Sequence, residues 1–372
     1  MAKVMKILLR CAGICGEWIL ILIILFAFLI RTSGFQTYVA EKATAFLSDE
    51  WKTKVRIGKV DISLFNRIYL EDVYIADQKD KTLLSIKSLE VLISSFGSKH
   101  LSISEVILKQ GKVWVYAQKP DGKMNFDFIA DYFSSADTSA SSSKFLVQLK
   151  SISLENTAFR YDDFRIPKAT SGLDFSHVSL AKVSVHLSDF ENNGPNTAFK
   201  IKHLSTKDQS GLLVKSLSAD FNMNSFGLSL KNIALSLNRS NIYAKEIGYS
   251  YKSQNDLEDF NNKVPFNIEI LSSSVNLADL AFFVPDLKGM DETIRIKGTV
   301  YNVINHLKIK DLALNIRKNT EIRGNIDLPD FSNLAAYDVK EILSSAKLDF
   351  KEINQIRIPG GKRLNLGENL ES

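Results

Sequence analysis

The stretch Ile309-Lys310-Asp311-Leu312-Ala313-Leu314-Asn315-Ile316 carries two patterns at once. From Leu312 to Ile316 large apolar side chains occupy every second position, the period of a strand with one buried and one wetted face. Just ahead of it, Lys310 and Asp311 stand together between two apolar residues, so the alternation slips by one. Such a slip turns every later side chain to the wrong face unless the strand absorbs it. A β-bulge or bend at the polar pair does so and adds local twist.

Both patterns recur through the chain. Alternation returns in Val60-Asp-Ile62-Ser-Leu64, Leu101-Ser-Ile103, Val113-Trp-Val115, Val183-Ser-Val185-His-Leu187 and Phe226-Gly-Leu228-Ser-Leu230. The polar pair returns in Leu70-Glu-Asp-Val73, Ile86-Lys-Ser-Leu89, Ile103-Ser-Glu-Val106, Phe175-Ser-His-Val178, Ile201-Lys-His-Leu204, Val214-Lys-Ser-Leu217 and Leu230-Lys-Asn-Ile233. The spacing is too uneven for a strict solenoid repeat. The expected fold is mainly β: a long curved antiparallel sheet of irregularly repeated strands, with a few short helices.

Helical spacing appears only in short pieces. Phe35, Val39, Ala43 and Phe46 predict an amphipathic helix ahead of the first strand. Gly122-Lys-Met-Asn-Phe-Asp-Phe-Ile-Ala-Asp-Tyr-Phe133 predicts a turn leading into a helix. Leu277, Leu280 and Phe283 predict another, capped by Asn276 and ended by Pro285. Residues 134–143 hold six serines in ten and read as a linker.

The first 34 residues read differently. Residues 11 to 30 carry one charge, Glu17, and the run Trp18, Ile19, Leu20, Ile21, Leu22, Ile23, Ile24, Leu25, Phe26, Ala27, Phe28, Leu29 and Ile30 has no polar side chain. Twenty helical residues match a bilayer core of about 30 Å. Lys3, Lys6 and Arg10 precede it, which places the N-terminus in the cytoplasm and the chain after Arg31 on the far side. A cleaved signal peptide is the competing reading. Against it, the nearest small-residue pair, Val39-Ala40, lies ten residues past the apolar run behind bulky Tyr38.

Composition excludes several classes. Of 372 residues, 45% are hydrophobic and 24% charged, with 18 Gly, 7 Pro and 2 Cys, which fits neither disorder, nor collagen, nor a disulfide-stapled module. Lys3, Lys6, Arg10 and Arg31 against Glu17 put +3 of the formal +5 into the anchor region. The remainder is nearly neutral, so no basic stripe for nucleic acid is expected. Cys11 and Cys15 both fall in the apolar segment, leaving no thiol beyond it for a disulfide or metal site.

Catalytic patterns are scarce. His100, His177, His186, His203 and His306 never pair at metal-ligand spacings. Asp162-Asp163 and the group Asp256, Glu258 and Asp259 read as solvated turn charges rather than a hydrolytic pair. Gly360-Gly361-Lys362 lacks the first glycine of a phosphate loop, and Arg363 stands where its hydroxyl belongs. No enzyme activity, cofactor or metal is expected. What is left is the apolar face, either a sealed core or a trough for acyl chains. Its candidate lining is Ile62, Leu64, Leu70, Val73, Ile75, Leu89, Val91 and Ile93.

Several of these segments together resemble a known family. Tyr38-Val-Ala, Val55-Arg-Ile-Gly-Lys-Val-Asp-Ile62, Leu70-Glu-Asp-Val-Tyr-Ile-Ala-Asp77, Ile107-Leu-Lys-Gln-Gly-Lys-Val-Trp-Val115 and Gly122-Lys-Met-Asn-Phe126 look like elements of AsmA-like and TamB-like proteins of Gram-negative envelopes. Asn276-Leu-Ala-Asp-Leu-Ala-Phe-Phe-Val-Pro-Asp-Leu287 and Ile294-Arg-Ile-Lys-Gly-Thr-Val300 do too. The resemblance implies a single-pass inner-membrane anchor and a periplasmic β-taco with an apolar groove. The implied partners are the inner membrane and phospholipid acyl chains, and an outer-membrane barrel protein where a longer form exists. The implied roles are passive phospholipid transport or outer-membrane biogenesis; a scaffold that binds an assembly partner through sheet-edge strands is the alternative. Such proteins are usually longer, so a short member or a truncated reading frame is expected. The organisation expected is an anchor over 1–34, a first groove segment over 35–133, the linker, a second segment over 144–275 and a third over 276–372.

Overall fold

The computed structural model describes residues 32–63, 66–97, 100–136, 146–193, 195–328 and 343–357. Among them no helix is long and apolar enough to cross a membrane. The apolar segment Trp18 to Ile30 lies outside the described residues, as do Leu64, linker residues 137–143 and the glycine pair at 360–361.

The chain divides into two compact units. The first comprises Met1–Val115 and Lys123–Leu149, the second Tyr116–Gly122 and Lys150–Ser372. On either side of the expected 275/276 division, β13 (Phe266–Asn276) and β14 (Thr293–Val303) pair directly within one unit. The short helix between them interrupts the chain without interrupting the sheet.

In the first unit, helix α1 (Ser33–Trp51) leads into β1 (Val55–Arg56), β2 (Lys59–Ser63), β3 (Arg67–Ala76), β4 (Thr82–Phe96) and β5 (His100–Ala117). Helix α2 (Asp127–Ala136) and β6 (Leu146–Leu149) follow, so helix occupies the first residues of the expected linker. β1 and β2 both pair antiparallel with β3, which pairs with β4, and β4 with β5. β6 departs from the antiparallel expectation and runs parallel to the start of β5.

α1 begins where Thr32 Oγ1 accepts from Phe35 N and ends at Lys52, whose left-handed backbone turns its N–H back to Ser48 O. It is less amphipathic than its spacing suggests. Ala40 and Trp51 are buried, whereas Tyr38 and Phe46 are exposed. Trp51 meets Phe128 and Tyr132 of α2 edge-on, each with ring centroids 6.4 Å apart. Asn125 fixes the approach to α2: it is buried and its Nδ2 donates to Trp114 O at 3.0 Å.

The second unit is an antiparallel meander: β7 (Ile152–Asp163), β8 (His177–Asn193), β9 (Asn196–Asp208), β10 (Leu213–Asn224), β11 (Gly227–Ser236), β12 (Asn241–Ser250), β13, β14, β15 (His306–Ile316), β16 (Thr320–Leu328) and β17 (Leu343–Lys347). Each strand pairs with the next. Its α-helices are single turns: α3 (Phe260–Lys263), α4 (Leu277–Leu280) and α5 (Phe350–Ile353). Asn276 caps α4 as expected, accepting from Ala278 N, but the helix stops short of Phe283, and Pro285 opens a separate 3-10 turn.

The polar pairs do distort the sheet, in two ways. At Lys310-Asp311 the ladder with β16 shifts between Ile309 and Leu312, and Asp311 adopts a positive φ of 53°. Gly298 on β14 lies against this bulge; a Cβ there would sit 3.2 Å from Leu312 Cα, and its φ of +151° suits glycine. Asn232, at φ 53°, marks the equivalent irregularity in β11, opposite Ser218 and Asp220 of β10. At Glu71-Asp72 the outcome differs. Leu70 stays opposite Leu89 and Val73 opposite Ile86, so register is kept because β3 and β4 break their patterns at the same level. Asp72, at φ 52°, pairs there with Lys87 at 2.8 Å. Phe175-Ser-His-Val178 is no bulge but the entry to β8, where Asp174 Oδ1 accepts from the Ser176 and His177 amides.

A left-handed residue other than glycine costs about 1–2 kcal/mol, least for Asp and Asn. Asp311→Val is therefore expected to lower stability by about 1–2 kcal/mol and Asp311→Gly by clearly less. Urea unfolding of the full chain, followed by circular dichroism, checks the order of the two variants.

Candidate functional site

The second unit aligns apolar side chains across its strands. Phe199 of β9 lies opposite Phe221, Phe221 opposite Leu230, Leu230 opposite Ile247 and Ile247 opposite Ile268. Ile268 lies opposite Val300, Val300 opposite Ile309 and Ile309 opposite Ile326. Directly opposed residues share a face, so one unbroken apolar row crosses eight strands, about 34 Å at the usual strand spacing. Every member is half-buried. At the β8 end Phe190 stacks on Phe199 with centroids 5.6 Å apart, and Phe199 on Phe221 at 4.4 Å. Ala219, Ile233 and Ala244 form a buried cluster, against which Leu230 and Ile247 of the row pack together with Ile201, Leu217 and Leu235.

One residue along each strand the chemistry reverses. Lys200 lies opposite Asp220, Asp220 opposite Lys231 and Lys231 opposite Glu246. Glu246 then lies opposite Glu269. Ion pairs Lys200–Asp189 at 2.9 Å and Lys245–Glu269 at 3.1 Å belong to this wetted face. Such exposed pairs contribute little stability each. They make a slip of register costly, because it would carry charges onto the apolar row.

In the first unit Ile62 lies opposite Ile68, Val91 opposite Ile68, Leu70 opposite Leu89 and Ile93 opposite Ile103. Ile62, Leu70, Leu89, Val91 and Ile93 are half-buried. Val73, opposite Ile86, is buried at 7% exposure and fills core instead of surface. Ile75 is half-buried, opposite buried Val55 on one side and half-buried Leu84 on the other. The structure thus brings five of the eight candidate lining residues into one apolar patch and sets Val73 and Ile75 beyond the Asp72 distortion. The longer row of the second unit was not singled out from sequence. Its signal was an apolar residue abutting a charge in strand after strand, as in Leu230-Lys231, Glu246-Ile247, Ile268-Glu269 and Ile309-Lys310.

The acidic pair at the end of β7 is buried, contrary to the solvated turn expected. Asp162 is 2% and Asp163 4% exposed. Arg160 Nε donates to Asp162 at 2.6 Å; Arg165 donates to Asp163 through Nε at 2.9 Å and Nη2 at 2.8 Å, and through its backbone N at 3.0 Å. These bonds hold the Asp163 carboxyl at a pKa of about 2. His177 is also buried, with Nδ1 3.1 Å from Asp174 Oδ2. Asp256 accepts from the Lys252 and Ser253 amides and closes a turn. His186, His203 and His306 contact Ser153, Ser205 and Asp327. Among the described residues no group of three or more His, Cys, Asp and Glu side chains is placed to hold a metal ion.

No family model, curated protein or solved structure matches the chain.

Because the folded pKa of Asp163 lies below the unshifted 3.8, its contribution to stability is fully present above that value and is lost as pH falls through about 2. Asp163→Asn is expected to unfold at lower temperature than the parent chain near pH 5, with the gap closing as pH falls from about 4 to 2. Thermal melts across that range, followed by circular dichroism, read the difference.

Proposed function

We propose that this protein is a membrane-anchored periplasmic protein that shields lipid acyl chains along the apolar faces of its sheets, serving passive phospholipid transport or outer-membrane biogenesis. The observation that carries the reading is the half-buried apolar row from Phe199 to Ile326, backed by a charged opposite face. Among the described residues the α-helices of that unit are four residues each, too short to cover eight strands. Contiguous apolar surface of this kind marks a binding site in a soluble domain. Each acyl methylene taken from water onto such a face contributes about 0.8 kcal/mol without directional contacts. The surface therefore suits many acyl chains and supplies no driving force along the row. The expected anchor at Trp18–Ile30 gives a source of lipid, and the resemblance to AsmA-like and TamB-like proteins points the same way.

The competing scaffold reading predicts protein contacts instead. Photo-crosslinking side chains placed at Leu230 and Leu70, with Lys231 and Glu71 as the neighbours on the opposite face, separate the two. Phospholipid adducts at Leu230 and Leu70 alone are expected. Protein adducts without lipid at any of the four positions would overturn the acyl-chain reading.

A further inference from the structure

In the second unit, the loops that follow β7, β9 and β13 line an open cavity of about 630 Å³. Its walls are tied together. Leu173 N donates to Phe282 O at 2.8 Å, Gln209 N donates to Ser179 O at 2.9 Å, and Phe282 lies against Gly211. Gly172, at φ +76°, is needed where the loops meet, since a Cβ there would stand 3.0 Å from Phe282 O.

The charge inside is unbalanced. Lys168 and Lys288 both line the cavity, and neither makes an ion pair among the described residues. The acid in the wall, Asp174, is already satisfied: it accepts from the Ala169, Ser176 and His177 amides and contacts the His177 ring. Gln209 is likewise engaged, donating from Nε2 to His177 O. Thr170, Ser171 and Ser210, each bearing a hydroxyl, also line the space. Two exposed ammonium groups outnumber the single Asp174 carboxylate of the wall, and beside hydroxyl-bearing side chains in a concave site they match a compact oxyanion with several acceptors. Next in the chain to the lining residues Asp174, Phe282 and Pro285 come Phe175 at 72%, Phe283 at 50% and Val284 at 46% exposure.

We infer that this cavity binds a phosphate mono- or diester, with Lys168 and Lys288 as its charge partners. The group could belong to a soluble phosphate ester or to a lipid head group, whose tail would meet these exposed apolar side chains. The inference stands apart from the acyl-chain reading, because it uses neither the apolar row nor the anchor.

Calorimetry on the full detergent-solubilised chain tests it with inorganic phosphate, glycerol 3-phosphate, dihexanoyl phosphatidic acid and, as a neutral control, dihexanoylglycerol. The phosphate probes are expected to bind, and the double variant Lys168→Ala/Lys288→Ala to weaken them about tenfold or more. Lys207→Ala, on β9 outside the cavity, reports any loss that merely follows removal of a surface charge, and is expected to bind as the parent does. Circular dichroism confirms that each variant is folded. Thr170→Ala/Ser171→Ala, which keeps both charges, is expected to weaken binding severalfold and covers the case in which the lysine variant fails to fold. Tighter binding of phosphatidic acid than of glycerol 3-phosphate assigns the site to a lipid head group, and equal binding to a soluble ester. Absence of binding by every phosphate probe, or undiminished binding in the folded variants, would overturn the inference. Lipid adducts at Leu230 would be untouched by that failure, so the two readings fail separately.

Discussion

The pairing of Leu230 with Ile247, repeated in kind from Phe199 to Ile326, is the constraint on which the second unit depends. Each strand contributes a single residue to the row, and backbone hydrogen bonds alone do not fix which one. A slip of one position would bring Lys231 or Glu246 onto the apolar face and desolvate it. The bulges are how the sheet avoids this. The extra residue at Lys310-Asp311 is absorbed between Ile309 and Leu312, so that Ile309 meets both Val300 and Ile326. The small residue Gly298 on the neighbouring strand gives that bulge room.

An amphipathic sheet held in phase presents two surfaces with opposite demands. The charged face, with Lys200, Asp220, Lys231 and Glu246 in succession, is satisfied by water and by its own ion pairs. The apolar face is not satisfied by water, and the single-turn helices among the unit's described residues offer little to cover it. Its side chains are half-buried, with Leu230 and Ile247 packed against the buried cluster of Ala219, Ile233 and Ala244; the acyl-chain proposal concerns the part of the row that this packing leaves accessible. Buried carboxylates do a separate job at the strand ends. Asp279 accepts from Arg239 N and Ser240 Oγ, and Asp163 binds Arg165, so loops that leave the ladder are pinned by local hydrogen bonds.

How much of this was legible follows from the range of the forces involved. Alternation in Leu312-Ala-Leu314-Asn-Ile316 is local, and so the strand and the bulge ahead of it were readable from ten residues. Glu71-Asp72 has the same local pattern yet leaves the ladder in register, because Lys87 on the next strand interrupts at the same level. That depends on a partner and not on the segment. The row from Phe199 to Ile326 was hidden for the same reason, since it exists only once eight registers are fixed. Burial of Asp162 and Asp163 was misread because their partners Arg160 and Arg165 are near in sequence but pair only in the folded turn. The cavity around Lys168 and Lys288 joins loops more than a hundred residues apart, which no spacing reveals.

The most direct test of the central claim is native mass spectrometry of the full chain extracted from cells in a mild detergent, for the parent and for Ile247→Asp. The account predicts phospholipid masses bound to the parent and their loss from the folded variant, in which a charge stands in the middle of the row. A lipid-free parent, or a folded variant that keeps its lipid, would contradict it.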